Sequence, residues 1–160
     1  MKLLTTTIIL TLTLNSLSAQ CDCEKVDQKN GTFYTLCQPF LSATDSMGEI
    51  KLGVSALGES RFIHLTISFA ANLQVINGGL TIHTSDGKSW ACVLVQRNLS
   101  EVDSVQTAYG LFVTSAEELA LMQNNTVQSI SFYLADGKER TVKVTYLSNN
   151  LPLQLACLED

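Results

Sequence analysis

Two histidines, His64 and His83, are the residues of this sequence best suited to acid–base or metal chemistry. An imidazole can exchange a proton near neutral pH, and it is a common ligand of transition metals. Each histidine lies on the more polar side of a predicted strand, so the two side chains could meet if those strands are neighbours. No further ligands follow at metal-site spacing, and a solvated strand histidine is the simpler interpretation of each.

Five cysteines, Cys21, Cys23, Cys37, Cys92 and Cys157, are disulfide candidates, and their odd number leaves one thiol over. Because Cys23 and Cys157 lie near opposite ends of the chain, we predict a bridge between them, with Cys21 as the alternative partner. Cys92 either bridges to Cys37 or remains a buried free thiol. A cysteine left over at the leading end should be exposed.

Other motifs that could support chemistry are weak. The segment Gly53–Gly58 is similar to a nucleophile elbow, but that motif needs a glycine two residues after Ser55, and a strand entering a turn explains the segment better. Trp90, Tyr109 and Tyr133 could line a sugar- or peptide-binding face, although packing is the usual role of such residues. The sequence therefore predicts no catalytic, cofactor-binding or metal-binding residue, and no cofactor.

The start of the chain predicts export. A basic residue, a short apolar run and small residues ending at Ala19 are typical of a secretory signal peptide. We predict a signal peptide over residues 1–19 and a single β-rich domain over residues 20–160, which is secreted or periplasmic and has no transmembrane segment. The net charge of −5 becomes −6 without Lys2, which argues against binding to nucleic acid.

The elements that must position these residues are mostly strands. Apolar and polar residues alternate on both sides of the Asp-Gly pair at 136–137, a period of two that is typical of a strand with one buried face. A three-residue loop ending at Gly137 pairs Ile130 with Val142 and puts the two apolar sets on one face. The same turn occurs at Gly87, so both glycines are expected to have a positive φ.

Helical signals are short. Ser115-Ala-Glu-Glu118 predicts a capping box, in which Ser115 and Glu118 each bind the other's backbone N–H. Residues 151–158 predict either a final strand or a short helix, and Pro152 near their start favours the helix.

The remaining polar segments are predicted as irregular structure or loops at residues 21–30, 42–48 and 97–104, with a tight turn at residues 77–79. Seven or eight closely spaced strands remain. They predict a mainly β chain, an antiparallel β-sandwich or barrel-like single domain with one or two short helices.

Several features together resemble small, uncharacterised exported proteins of Bacteroidota-type bacteria. These features are the signal ending at Ala19, an early cysteine, Ser-Ala-Glu-Glu-Leu before a strand, an Asp-Gly hairpin and Cys157-Leu158 near the end. The resemblance implies a periplasmic or secreted β-rich module and supplies no catalytic residues. The additional cysteines of this chain depart from the pattern.

These observations favour an exported, non-enzymatic β-module that binds a protein, a peptide or a glycan through a sheet face or its loops. The alternative is a small secreted hydrolase or metal-dependent enzyme that uses His64 or His83. A structure distinguishes the two hypotheses, because both histidines in one cleft with a carboxylate would favour the enzyme.

Overall fold

The computed structural model describes residues 22–27, 33–38, 41–70, 73–102, 104–146 and 148–158. The predicted signal peptide, residues 1–19, lies outside this part of the chain, as does Cys21. The described residues form ten strands and two helices: β1 (Asp22–Asp27), β2 (Phe33–Gln38), β3 (Leu41–Asp45), β4 (Gly48–Leu57), β5 (Ser60–Phe69), β6 (Ile76–Thr84), β7 (Ser89–Val102), β8 (Val105–Val113), α1 (Ala116–Met122), β9 (Val127–Leu134), β10 (Glu139–Lys143) and α2 (Asn150–Cys157). Neither helix has the length and apolar character needed to cross a membrane.

The ten described strands belong to one antiparallel sheet, which is not closed. Its order is β1-β2-β4-β5-β8-β7-β6-β9-β10, and β3 pairs with β4 outside this path. β7 joins the strands β1, β2, β4, β5 and β8 to the strands β6, β9 and β10. Its first residues pair with β6, and the rest pair with β8. One bridge, between Ser42 and Tyr146, brings the segment after β10 to β3. The predicted mainly β, antiparallel fold with short helices is confirmed.

One hydrophobic core forms where the apolar faces of the strands meet. On β5, Ile63, Leu65 and Ile67 are buried, and on β9 the corresponding residues are Ile130 and Phe132. Full burial of such a side chain stabilises the fold by roughly 1.5–3 kcal/mol. The polar residues between them on the same strands point to the opposite face of the sheet, where His64 and Ser131 are themselves buried, and they contribute to the sites described below.

Both Asp-Gly hairpins have the predicted register. Ile130 lies opposite Val142, which leaves three residues in the second loop, and the first hairpin has the same arrangement. Gly87 and Gly137 have φ values of +82° and +72°. This is the left-handed region, which glycine enters without the steric penalty of a Cβ.

The two helices are also as predicted. At the start of α1 the Ser115 hydroxyl accepts from the Glu118 N–H at 3.2 Å, and the Glu118 carboxylate accepts from the Ser115 N–H at 3.1 Å. This is the capping box. Of the two alternatives predicted for residues 151–158, the structure has the helix. It is α2, which has Pro152 in its first turn and Leu158 as its C-cap.

Gln154 fixes α2 to the sheet where β2 and β3 leave a gap along β4. Its Oε1 accepts from the Val54 N–H at 3.0 Å, and its Nε2 donates to the Cys37 carbonyl at 3.0 Å. Gln154 is buried. A buried amide whose two ends both bind backbone groups satisfies donors and acceptors that would otherwise be costly to bury.

The prediction of irregular structure is wrong for three polar segments. β1 occupies residues 22–27, β3 occupies residues 41–45, and β7 continues to residue 102. Each pairs residue by residue with a neighbouring strand, so partner strands rather than local apolar patterns stabilise them. Residues 77–79 also lie within β6 rather than in a tight turn, at a register shift between Ile76 and Leu80.

The predicted bridge between Cys23 and Cys157 is wrong. Cys23 is bonded to Cys37, which lies directly opposite it on the neighbouring strand with the Cα atoms 4.0 Å apart. Cys157 is disulfide-bonded, and its alternative predicted partner, Cys21, lies outside the described residues. Cys92 is a buried free thiol, the second of the two alternatives, and burial raises its pKa to about 12. Among the described cysteines, the free thiol is therefore the buried Cys92 rather than an exposed cysteine.

Candidate functional site

β6 places His83 on the outer face of the sheet. Its neighbours Ile82 and Thr84 are buried, whereas His83 is half-buried. β6 lies between β7 and β9, and β10 follows β9. In antiparallel ladders opposite residues point to the same side of the sheet. The polar residues of these four strands therefore share one surface with His83.

A row of hydrogen bonds crosses all four strands through the His83 ring. The Ser89 hydroxyl lies 2.8 Å from Nδ1, and the Ser131 hydroxyl lies 2.9 Å from Nε2. The Ser131 hydroxyl is in turn 2.8 Å from the Thr141 hydroxyl. We call Ser89, His83, Ser131 and Thr141 the hydroxyl row. A neutral imidazole donates through one nitrogen and accepts through the other, so the row can run in either direction.

The hydroxyl row lines an open groove of about 530 Å³, called here the outer groove. The other lining residues are Thr84, Gly87, Lys88, Gln128, Ser129 and Glu139. Hydroxyl and amide groups dominate this lining. The groove is therefore suited to a ligand that both donates and accepts hydrogen bonds.

The charges around the outer groove are few and partly neutralised. The Lys88 ammonium lies 3.0 Å from the Asp86 carboxylate. A hydrogen bond from the Thr84 hydroxyl, together with Lys88, lowers the pKa of Asp86 to about 2. Glu139 makes no ion pair with any residue that the structure describes. The groove thus carries one uncompensated carboxylate and no cluster of cations.

The three aromatic candidates have different positions. Trp90 is buried in the core, and Tyr109 contacts His64. Tyr133 alone of the three is exposed, and it lies directly opposite Glu139 on the neighbouring strand. A Cβ added at Gly78 would come within 3.0 Å of the Tyr133 side chain. The absence of a side chain at Gly78 therefore lets Tyr133 lie close to β6, beside the outer groove.

His64 lies in a second polar network, on the β4–β5–β8 part of the sheet. Its Nε2 is hydrogen-bonded to the Ser55 hydroxyl and its Nδ1 to the Tyr109 hydroxyl. The Tyr109 ring also meets the imidazole edge-on. His64 is 5% exposed and Ser55 is 2% exposed. Burial lowers the pKa of His64 to about 4, because the charged form loses its hydration. The imidazole is therefore neutral at neutral pH.

The structure does not bring the two histidines into one site. His83 lines the outer groove and His64 does not; their hydrogen-bond partners are also different residues. Within the described ranges, no three His, Cys, Asp or Glu side chains gather as a metal site would require. The described residues do not form a single cleft with both histidines and a carboxylate, the arrangement that would have favoured the enzyme hypothesis.

The sequence interpretation missed both polar networks. Ser55 and His64 become diagonal neighbours because Leu57 pairs with Ser60 across a two-residue turn. That turn, with Gly58 at a φ of +57°, was the available signal. The hydroxyl row was harder to find, since it depends on β6 pairing with β9, which is not a sequence neighbour.

Comparison with known proteins gives no relative: no protein-family model, no curated protein and no solved structure matches this chain significantly. The resemblance to small exported Bacteroidota-type proteins therefore stays a prediction, and function must be argued from the two polar sites.

Proposed function

We propose that this chain is an exported, non-enzymatic β-module that binds a partner through the outer groove. The observation that carries the proposal is the hydroxyl row, which presents Ser89 and Thr141, both exposed, to a ligand. A glycan, a peptide or a protein loop could supply the matching donors and acceptors. Well-placed polar groups fix the orientation of a ligand in its site, and the open outer groove presents such groups along the hydroxyl row.

Export is supported by two independent features. Residues 1–19 have the composition of a signal peptide. The Cys23–Cys37 disulfide is of a kind that persists mainly in oxidising compartments, which agrees with export. We therefore expect the working form to begin at Gln20. Intact mass measurement of the secreted protein checks this, and recovery of the full-length chain would contradict it.

The binding proposal is tested by amide NMR on the mature protein. Three probes are added in turn: a pool of neutral oligosaccharides, a pool of acidic oligosaccharides and a random-sequence peptide pool. We expect at least one to shift amide signals that cluster around the hydroxyl row. A Ser89→Ala/Thr141→Val double variant should reduce that response, whereas Thr44→Val, at an exposed threonine on β3, should not. Shifts that map elsewhere, or no response to any probe, would overturn the proposal.

A hydrolase that uses His64 is a second candidate, because Ser55 contacts the ring nitrogen that would take its proton. The burial of Ser55 weighs against it, since a substrate carbonyl must reach the Oγ atom. A fluorophosphonate probe separates the candidates. Labelling that disappears in Ser55→Ala would favour the hydrolase, and an unlabelled Ser55 agrees with a binding module.

A further inference from the structure

We propose that the outer groove binds a neutral glycan, an inference that rests on the binding function proposed above. The hydroxyl row gives the first reason. A sugar hydroxyl is both a donor and an acceptor, and so are the hydroxyls of Ser89 and Thr141 at the two ends of the row. Each of these two hydroxyls can rotate and act as either the donor or the acceptor in a hydrogen bond with the ligand. This adaptability suits a ligand that carries hydroxyls in several orientations.

The strand order argues against a peptide. Peptides that bind by strand addition need an unpaired sheet edge. The two strands at the centre of the groove, β6 and β9, are each paired on both sides. Peptide side chains would also need apolar pockets for their anchors, whereas hydroxyl, amide and charged groups dominate the lining of this groove. A glycan requires neither feature.

The charges favour a neutral glycan over an acidic one. Uronate or sulfate groups would need cations in the groove. The one lysine of the lining, Lys88, is already paired with Asp86, and the Glu139 carboxylate would repel an anion. Lys143 does not line the groove, but it lies opposite the lining residue Ser129, so it is the one unpaired cation at the edge of the groove among the described residues.

Tyr133 does not line the groove itself, but it lies directly opposite Glu139, which does, and so it supplies an aromatic surface at the edge of the groove. Its side chain is 37% exposed and lies on the same face of β9 as Ser131, two residues away. The tyrosine ring has an apolar face and a hydroxyl at its end, so it suits a ligand that has both an apolar face and polar groups. A pyranose ring has such a character, because its C–H groups form an apolar face and its hydroxyls lie at the rim. We assign Tyr133 as the stacking residue.

Calorimetric titration of the mature protein tests this assignment. The probes are the neutral hexasaccharides of glucose, mannose and xylose, with oligogalacturonate and heparin fragments as acidic counterparts. At least one neutral probe should bind, and the acidic probes should not. Tyr133→Ala and Thr141→Val should each weaken binding about tenfold, the effect expected for one lost contact in a small site. The matched controls are Tyr146→Ala, at a tyrosine that is 63% exposed, and Thr44→Val; both should bind as the wild type does.

The possible outcomes distinguish the neutral-glycan assignment from the binding function proposed above. If only acidic glycans or the peptide pool bind, and the groove variants weaken that binding, the neutral-glycan assignment is wrong and the binding function stands. If a glycan binds but no groove variant changes its affinity, both are wrong. Absence of binding to every neutral probe also overturns the glycan assignment.

Discussion

His64 should make the folded protein lose stability in mild acid. Burial lowers its pKa from 6.5 to about 4. Above pH 6.5 the imidazole is neutral in both the folded and the unfolded chain, so its protonation does not reduce the free energy of unfolding. As the pH falls towards 4, the unfolded chain binds a proton that the folded chain does not, so the free energy of unfolding decreases. At about 1.4 kcal/mol per pKa unit, the loss amounts to about 3 kcal/mol.

Urea unfolding of the wild type and of His64→Gln, from above pH 6.5 down to about pH 4, measures this loss. Glutamine retains a donor and an acceptor near Ser55 and Tyr109 but does not titrate. The variant should have a lower free energy of unfolding than the wild type at neutral pH. Between pH 6.5 and about pH 4 the wild type should lose about 3 kcal/mol more of this free energy than the variant does. His83→Gln, which keeps His64, should retain the acid loss. Parallel curves for the wild type and His64→Gln would refute the reasoning, because the imidazole would then not be shielded from protonation.

Three further predictions concern the fold. Gly137→Ala should lower the free energy of unfolding by about 1 kcal/mol, since its φ is +72° and an added Cβ would touch nothing; an unchanged urea midpoint would contradict this. Gln154→Ala should cost about 2–4 kcal/mol, because two buried backbone groups lose their partner; Leu153→Ala, at an exposed neighbour on α2, is the control, and an equal cost would refute the role of the amide. Cys92 should resist alkylation until urea unfolds the chain, because it is buried with a raised pKa; rapid labelling of the folded protein would show that it is accessible.

The features that the sequence predicted correctly depend on nearby residues. The Asp-Gly loop at Gly137 and the capping box at Ser115 each need only a few consecutive residues to form. The missed strands are different. β1 and β3 are polar edge segments, and β1 is held by its pairing with β2 and by the Cys23–Cys37 bond. Such tertiary partners override a weak local β pattern.

The candidate site was predicted only in part. His83 and Tyr133 could be picked out by residue type, and their outward direction follows from strand alternation. Their neighbours Ser131 and Thr141 face each other because of the second hairpin's register, which the sequence also predicts. The contact of His83 with Ser131 instead requires β6 to lie beside β9. Local patterns do not specify the order of strands in a sheet, so the complete row could not be assembled from the sequence.

The imidazole ¹⁵N spectrum of the mature protein tests the central claim most directly. The chain contains two histidines, and they report on the two polar sites separately: His83 lies in the hydroxyl row and His64 in the buried network. Saturation with a bound neutral oligosaccharide should shift the His83 ring nitrogens and leave those of His64 unchanged. Binding that leaves the His83 signals unmoved would contradict the account, because the hydroxyl row would then not be the ligand site.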